Sequence, residues 1–253
     1  MRPRQAIADV ASHYDDKHWW LERLQQRFVS PVLAALNGRD GIDVVERDWD
    51  NLLILDACRV DMFESVADTE RFDTYNTVRS HGSSSPDWIA ANFADRELID
   101  TVYVTANPWV AQEAPSSFHE IMNVWAAEQT NSGDIDAGDL AQRDLATSPA
   151  ATVTAKHLNE AVRQAKNDYP NKRYIVHYFQ PHAPCIGNAD GSIKSEEEMN
   201  LLLHPGKPLY EGRVDRDTVW EAYEDNLAYV LRHAHQLADD IGGKSVFTAD
   251  HGE

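Results

Sequence analysis

Two aspartates stand directly after short apolar runs. Asp56 follows Leu52-Leu53-Ile54-Leu55, and Asp250 follows Val246-Phe247-Thr248-Ala249 with His251 next to it. Runs of this kind suit strands buried on both faces of a parallel sheet. An acid at the carboxyl end of such a strand lies where open α/β sheets bind their ligands. A carboxylate held there out of water needs a partner. Two carboxylates and an imidazole are ordinary ligands for a divalent ion such as zinc, manganese or magnesium. Either aspartate alone is better explained as a cap on the following turn. The pair together with His251 shifts the balance toward a metal.

A second element is His81-Gly82-Ser83-Ser84-Ser85-Pro86-Asp87. Pro86 suits the first position of a helix, which would make Ser85 its N-cap. A plain cap accounts for the run. The same geometry also places a hydroxyl in a field that stabilises negative charge. A metal nearby would favour its alkoxide as a nucleophile, and backbone N–H groups there could hold a transferring phosphoryl or sulfuryl oxygen. A third element is Gln180-Pro181-His182-Ala183-Pro184. The prolines make a stiff, extended loop that would fix the His182 imidazole. From there it could hydrogen-bond a substrate oxygen or protonate a leaving group. His177, inside the preceding apolar run, reads as a packed or hydrogen-bonded core residue. Arg59 could pair with an anionic group, with Asp56 or with Asp61. Asn107-Pro108-Trp109 reads first as a turn with a packed Trp, and second as pocket lining.

The elements that must position these groups follow from periodicity. Apolar runs at 51–55, 101–105, 173–179 and 245–249 read as strands. Helical stretches separate them, at about 86–94, 150–168 and 215–241. That alternation predicts an α/β domain with a mainly parallel sheet sandwiched by helices. Residues 5–36 carry Leu21, Leu24, Phe28 and Val32 at helical spacing, so 1–47 is expected to be an N-terminal helical extension and 48–253 the α/β domain. The segments 128–149 and 186–214 are rich in turn residues and read as surface excursions. His233 and His235 sit two apart on the last helix and so face different ways. Asp134, Asp136 and Asp139 resemble a calcium loop only superficially, since the twelfth position from Asp134 is Leu145.

Bulk composition narrows the function classes. The 253 residues hold 23 Lys+Arg against 42 Asp+Glu, a net charge of −19. Such a chain lacks the basic face that nucleic acid requires. The acid is spread along the whole chain, which fits a protein kept soluble in high salt better than one acidic cleft. Cys58 and Cys185 make neither a disulfide framework nor a zinc pattern. No secretory signal and no apolar stretch of about 20 residues is visible, so a cytoplasmic location is expected. The stretch His18-Trp19-Trp20-Leu21 reads as a packed face, with a membrane or partner contact as the alternative.

Taken in order, Leu-Ile-Leu-Asp56-Ala-Cys-Arg59, Gly-Ser-Ser-Ser-Pro, Pro-His182-Ala-Pro and Thr-Ala-Asp250-His251-Gly-Glu253 resemble the alkaline phosphatase/sulfatase superfamily, and in particular the sulfatase-like proteins of haloarchaea. The resemblance runs from about residue 48 to the end and rests on four short motifs. It implies an alkaline phosphatase-like fold and a divalent ion (Mn, Ca, Mg or Zn) held by Asp56, Asp250 and His251. It implies a serine nucleophile and a small anionic ester substrate bound by His182, with Arg59 a further candidate. Nucleophile-x-Pro spacing selects Ser84, whereas alignment on the residue beside the proline selects Ser85; Ser84 is preferred narrowly. Sulfatases of the formylglycine type carry Cys-x-Pro-x-Arg, and Ser84-Ser85-Pro86-Asp87-Trp88 lacks that arginine. The second acid of two-metal members is Ala57 here, which points to one ion, as in the superfamily's phosphoglycerol transferases. The expected function is a metal-dependent hydrolase or transferase of phosphate, less readily sulfate, esters. The alternative is a non-catalytic or truncated relative that binds a metal or anion, since superfamily folds continue past the Asp-His-Gly motif.

Overall fold

The computed structural model describes residues 41–124, 153–202 and 205–252. The helix expected over 5–36, the excursion at 128–149 and the group Asp134, Asp136 and Asp139 lie outside these residues. The chain divides into Met1–Asp40 and Gly41–Glu253, and the sheet with its helices belongs to the second unit. Residues 41–47, expected in the N-terminal extension, pack on this unit: Val44 is buried and its carbonyl accepts from Trp49 Nε1 at 2.7 Å.

Five strands form one sheet: β1 (Asn51–Asp56), β2 (Leu98–Thr105), β3 (Phe118–Asn123), β4 (Arg173–Pro181) and β5 (Ser245–Ala249). All pairings are parallel, in the order β3-β2-β4-β1-β5. The four expected strands are present. The fifth, β3, reads Phe-His-Glu-Ile-Met-Asn, half of it polar and partly wet, and so carries no continuous apolar signal.

Side chains alternate across each strand, and each set meets its own helices. Leu53, Leu55, Val102, Val104 and Val176 face one way, onto α4 (Ala155–Asp168) and α7 (Arg216–Ile241). Leu52, Ile54, Tyr103 and Ile175 face the other, onto α2 (Ser85–Phe93), whose Trp88, Ile89 and Phe93 are buried. Both faces are covered, as the sequence predicts for an α/β sheet. The short helices α1 (Val60–Val66) and α3 (Val110–Glu113) follow β1 and β2.

Helix starts are set by caps. Helix α4 begins at Ala155, later than the expected 150, because the Thr154 side chain accepts from His157 N. Helix α2 begins one residue before its proline. Ser84, not Ser85, is its N-cap, and Ser85 is the first helical residue. That corrects the expected cap and turns Ser85 inward. The stretch 186–214 carries two short helices, α5 (Glu196–Leu201) and α6 (Gly206–Tyr210). Part of it is pinned rather than solvated: buried Lys194 reaches Asn188 Oδ1 and Asp225 Oδ2, each at 2.8 Å. Among the described residues no helix is long and apolar enough to cross a membrane, and Cys58 and Cys185 are both buried.

Candidate metal centre

Strand register brings the two aspartates together. Strands β1 and β5 are neighbours, with Leu55 beside Ala249. The next residue on each is Asp56 or Asp250, so both carboxylates emerge at the same level of the sheet's carboxyl edge. Each is essentially fully buried, at 1% and 0% exposure. One ligand atom from each of Asp56, Asp250 and His251 lies within 4.8 Å of the others. His251 Nε2 stands 3.6 Å from Asp56 Oδ1 and 3.7 Å from Asp250 Oδ2. The three residues singled out in the sequence therefore form one cluster.

The backbone after β1 is bent to serve this cluster. Ala57 has φ 57°, a left-handed conformation uncommon for a residue with a side chain. In that turn Ala57 N donates to Asp250 Oδ1 at 3.0 Å, and Tyr223 Oη donates to the Ala57 carbonyl. Asp250 Oδ1 also accepts from His251 N at 2.8 Å. One oxygen of Asp250 is thus held twice, while Oδ2 is buried and accepts nothing. A buried anionic oxygen left over in this way is unusual in a folded protein.

The serine run joins from below. Gly82 passes so close to α2 that a Cβ there would lie 2.4 Å from Trp88 N, so glycine alone fits. Ser80 Oγ donates to the Asp250 carbonyl and accepts from Gly82 N, tying this loop to the cluster. Ser85, buried, turns its hydroxyl to Asp56, 3.4 and 3.5 Å from the two carboxylate oxygens. Ser84 faces the other way. Its hydroxyl donates to Asp87 Oδ2 at 2.9 Å and caps the helix. The geometry separates the two serines: Ser85 stands at the cluster, and Ser84 is occupied with the helix end.

Two other expected residues are placed less directly. The His182 N–H donates to the Asp56 carbonyl at 3.2 Å, so its loop lies against the end of β1. Its ring turns Nδ1 to the Ala183 carbonyl at 2.6 Å and packs edge-on to Phe179. Arg59 pairs with Asp61 through two hydrogen bonds of 2.9 and 2.7 Å and lies over the Trp220 ring. Asp61 is thus one carboxylate that its guanidinium engages.

Two residues matter more than their sequence context suggested. Asn107, just beyond β2, donates from Nδ2 to Asp56 Oδ2 at 2.7 Å and is buried. His177 is a buried core residue, as expected, and its Nδ1 meets Tyr103 Oη at 2.9 Å. Its Nε2, however, has no hydrogen-bond partner and faces Asp56 Oδ2 and Asp250 Oδ2, each at 3.7 Å. The signal was alternation. His177 shares its face with Ile175 and pairs in register with Ile54, two residues before Asp56. Knowing the register would have found it.

Burial dominates the electrostatics. It lowers the His177 pKa to about 4, against the pull of Asp250, so the ring is neutral at pH 7. Burial, then the charges of Asp250 and Asp56, keep the Tyr103 phenol protonated far above its ordinary range. Burial also pushes the Cys58 thiol up to about 12, with Asp250 and Asp61 adding to the shift. Cys58 is thus a packed thiol and no nucleophile.

The donor set fits a divalent cation. Two buried carboxylates, one with an orphaned oxygen, face two imidazole nitrogens at 3.6–3.7 Å. Four ligand atoms arranged tetrahedrally about one ion, each about 2.0–2.2 Å from it, lie about 3.3–3.6 Å apart. Within Asp56, Asp250 and His251 the spacings from the imidazole nitrogen, 3.6 and 3.7 Å, lie at and just above the top of that range. Beyond this geometry similarity gives no guide, since no protein-family model, no curated protein and no solved structure matches the chain.

Proposed function

We propose that this chain is a metal-dependent hydrolase or transferase of phosphate esters, with sulfate esters the less favoured substrate, built on the alkaline phosphatase-like plan its motifs resemble. The observation that carries this reading is the junction of a buried, unpaired carboxylate oxygen of Asp250 with Asp56, His251 and the Ser85 hydroxyl at one sheet edge. A structural cap would not leave a charged oxygen buried without a partner.

Asp56, Asp250 and His251 would hold one divalent ion, which supplies positive charge to favour the seryl alkoxide and offset charge on the transferring group. Ser85, at the start of α2, is the nucleophile in this reading. Its oxygen attacks phosphorus, the bond to the leaving alkoxide breaks, and the first helical turn faces the developing charge with its N–H groups. In this reading the His182 ring, on its proline-bounded loop, orients the anion or protonates the leaving oxygen. Water or an acceptor alcohol then takes the phosphoryl group from Ser85, which sets hydrolase or transferase.

The test is metal content and turnover measured together. Purified chain is stripped, reloaded with Mn²⁺, Zn²⁺, Mg²⁺ or Ca²⁺, and assayed on an aryl phosphate and an aryl sulfate. We expect about one ion per chain, phosphate-ester turnover that depends on it, and loss of both in Asp250→Ala. Bound metal with no turnover of either ester would favour the binding-only alternative. An Asp56→Ala chain that keeps full metal and full turnover would remove the proposed site altogether.

A further inference from the structure

We infer that His177 is the fourth protein ligand of this centre, binding through Nε2, and that it biases the site toward a transition ion of the zinc or cobalt kind over magnesium or calcium. The inference rests on the metal reading above and extends it by one residue and one choice of ion. His177 is fully buried in the sheet, and its Nε2 is an unpartnered polar atom aimed between two carboxylate oxygens at equal distances of 3.7 Å. A hydrogen bond to either oxygen would require about 2.7–3.2 Å, so the ring is too far to be a simple donor. That separation is just above the about 3.3–3.6 Å between tetrahedral ligands of one ion, so a small inward shift would add Nε2 to the set that Asp56, Asp250 and His251 form without it.

The surroundings set the ring for that role. Nδ1 meets Tyr103 Oη at 2.9 Å, and Tyr103 is itself buried. With Nδ1 protonated and donating to that hydroxyl, Nε2 carries its lone pair toward the carboxylates. A second hydrogen bond of this kind is how metal-bound histidines are fixed in tautomer and orientation. Asp56 turns Oδ2 toward His177 and Oδ1 toward His251, so the two imidazoles flank one carboxylate. Two nitrogens and two carboxylate oxygens suit zinc, cobalt or manganese, whereas magnesium and calcium prefer oxygen throughout. The Ser85 hydroxyl, 3.4–3.5 Å from Asp56, stands next to this set as a further oxygen. A centre with four protein ligands can therefore still admit a fifth.

The test reads the coordination itself. The Zn²⁺-loaded chain is studied by zinc-edge X-ray absorption, which counts imidazole ligands from their outer-atom scattering. Wild type should show two imidazoles, and His177→Gln, which keeps a buried polar side chain of similar length, should show one. In parallel, Zn²⁺ and Mg²⁺ affinities are measured by competition titration. His177→Gln should lose more Zn²⁺ affinity than the about 10–100-fold typical of losing an outer-shell partner, while Mg²⁺ affinity moves less than about threefold. Tyr103→Phe should fall within that 10–100-fold range for Zn²⁺ and keep two imidazoles. One imidazole in wild type, or two in His177→Gln, overturns the inference and leaves the three-ligand centre intact. A wild type that binds no Zn²⁺ overturns both. The wild-type count does not depend on any variant folding.

Discussion

The pair Ser84→Ala and Ser85→Ala splits structure from chemistry within two adjacent residues. Ser84 caps α2: its hydroxyl takes Asp87 N and donates to Asp87 Oδ2 at 2.9 Å. Loss of such a cap costs about 1 kcal/mol, within a range of about 0.5–2. In a chain of this size that lowers Tm by about 2–4 °C. Even if all of it loosened the turn that carries Ser85, the rate would fall by about fivefold, or about thirtyfold at the top of that range. Ser85 makes only long contacts of 3.4 and 3.5 Å to Asp56, so its removal should cost less than about 1 kcal/mol of stability. If it is the nucleophile, its removal should lower kcat by a factor on the order of 10⁴ to 10⁶. The assay is initial rate on an aryl phosphate with saturating metal, thermal melting of each variant, and mass spectrometry of acid-quenched enzyme for a phosphoserine in the 80–96 peptide. The expected pattern is a stability loss with activity in one variant and an activity loss with stability in the other. A Ser84→Ala chain that is folded and inert beside an active Ser85→Ala chain would refute the geometric assignment. Two active variants would refute the seryl intermediate.

Other perturbations test the supports of the site. Stripping the metal should lower Tm; an ion at 100 times its Kd contributes about 2.7 kcal/mol, or about 5–11 °C by melting curve, and an unchanged Tm would contradict a metal bound only by the folded chain. Asn107→Ala removes the 2.7 Å hydrogen bond to Asp56 Oδ2 and should cost about 1.5–3 kcal/mol in denaturant unfolding of the metal-free chain. Gly82→Ala puts a Cβ 2.4 Å from Trp88 N, so it should destabilise by about 1–3 kcal/mol and displace Ser85, reducing turnover as well. His235, packed against Phe72 and Phe247, has its pKa lowered from 6.5 by burial first and by Arg71 second, against the pull of Asp239. The unfolded chain then binds more protons at this ring, so its contribution is fully present above pH 6.5 and is lost as pH falls below it. The acid limb of the stability curve should be shallower in His235→Gln than in wild type.

Much of this arrangement is written in local patterns, and what is not has a common physical cause. Runs such as Leu52–Leu55 are legible because a strand covered on both faces must be apolar throughout; Val246–Ala249, on an edge strand and only half-buried, keeps an apolar run as well. Strand β3 escapes that logic because polar residues fill half of it, with His119 and Glu120 exposed. Asp56, Asp250 and His251 could be named because each ends or follows such a run. Ser85 could not be told from Ser84, since a one-residue shift in where the helix starts exchanges their roles, and the cap choice depends on Asp87 as well as on Pro86. His177 and Asn107 were underrated for a different reason. Their place at the cluster depends on the register between β4, β1 and β2, and register is a property of pairs of strands, absent from either strand alone.

The same register explains why the cluster's polar atoms divide into two sets. On its outer side the fold answers three of them, Asp250 Oδ1 by the Ala57 and His251 N–H groups, the Asp250 carbonyl by Ser80 and His177 Nδ1 by Tyr103, while His251 Nδ1 has no hydrogen-bond partner among the described residues. The atoms on its inner side, Asp250 Oδ2 and His177 Nε2, are buried and unanswered. Random imperfection would scatter unpaired atoms over the core. Instead, of the five such side-chain atoms among the described residues, three belong to Asp250, His177 and His251. That concentration at one point, with the uncommon backbone of Ala57 bent to hold Asp250 there, is what a rigid set of ligands prepared for a cation requires. The metal-free chain should on this reasoning keep the positions of Asp250 and His177 and gain little order on loading. Amide hydrogen exchange across 54–58 and 249–252 would then change by less than about tenfold between the two states, beyond the global stabilisation that binding brings. A larger, localised change would mean that the ion assembles the site rather than entering one already built.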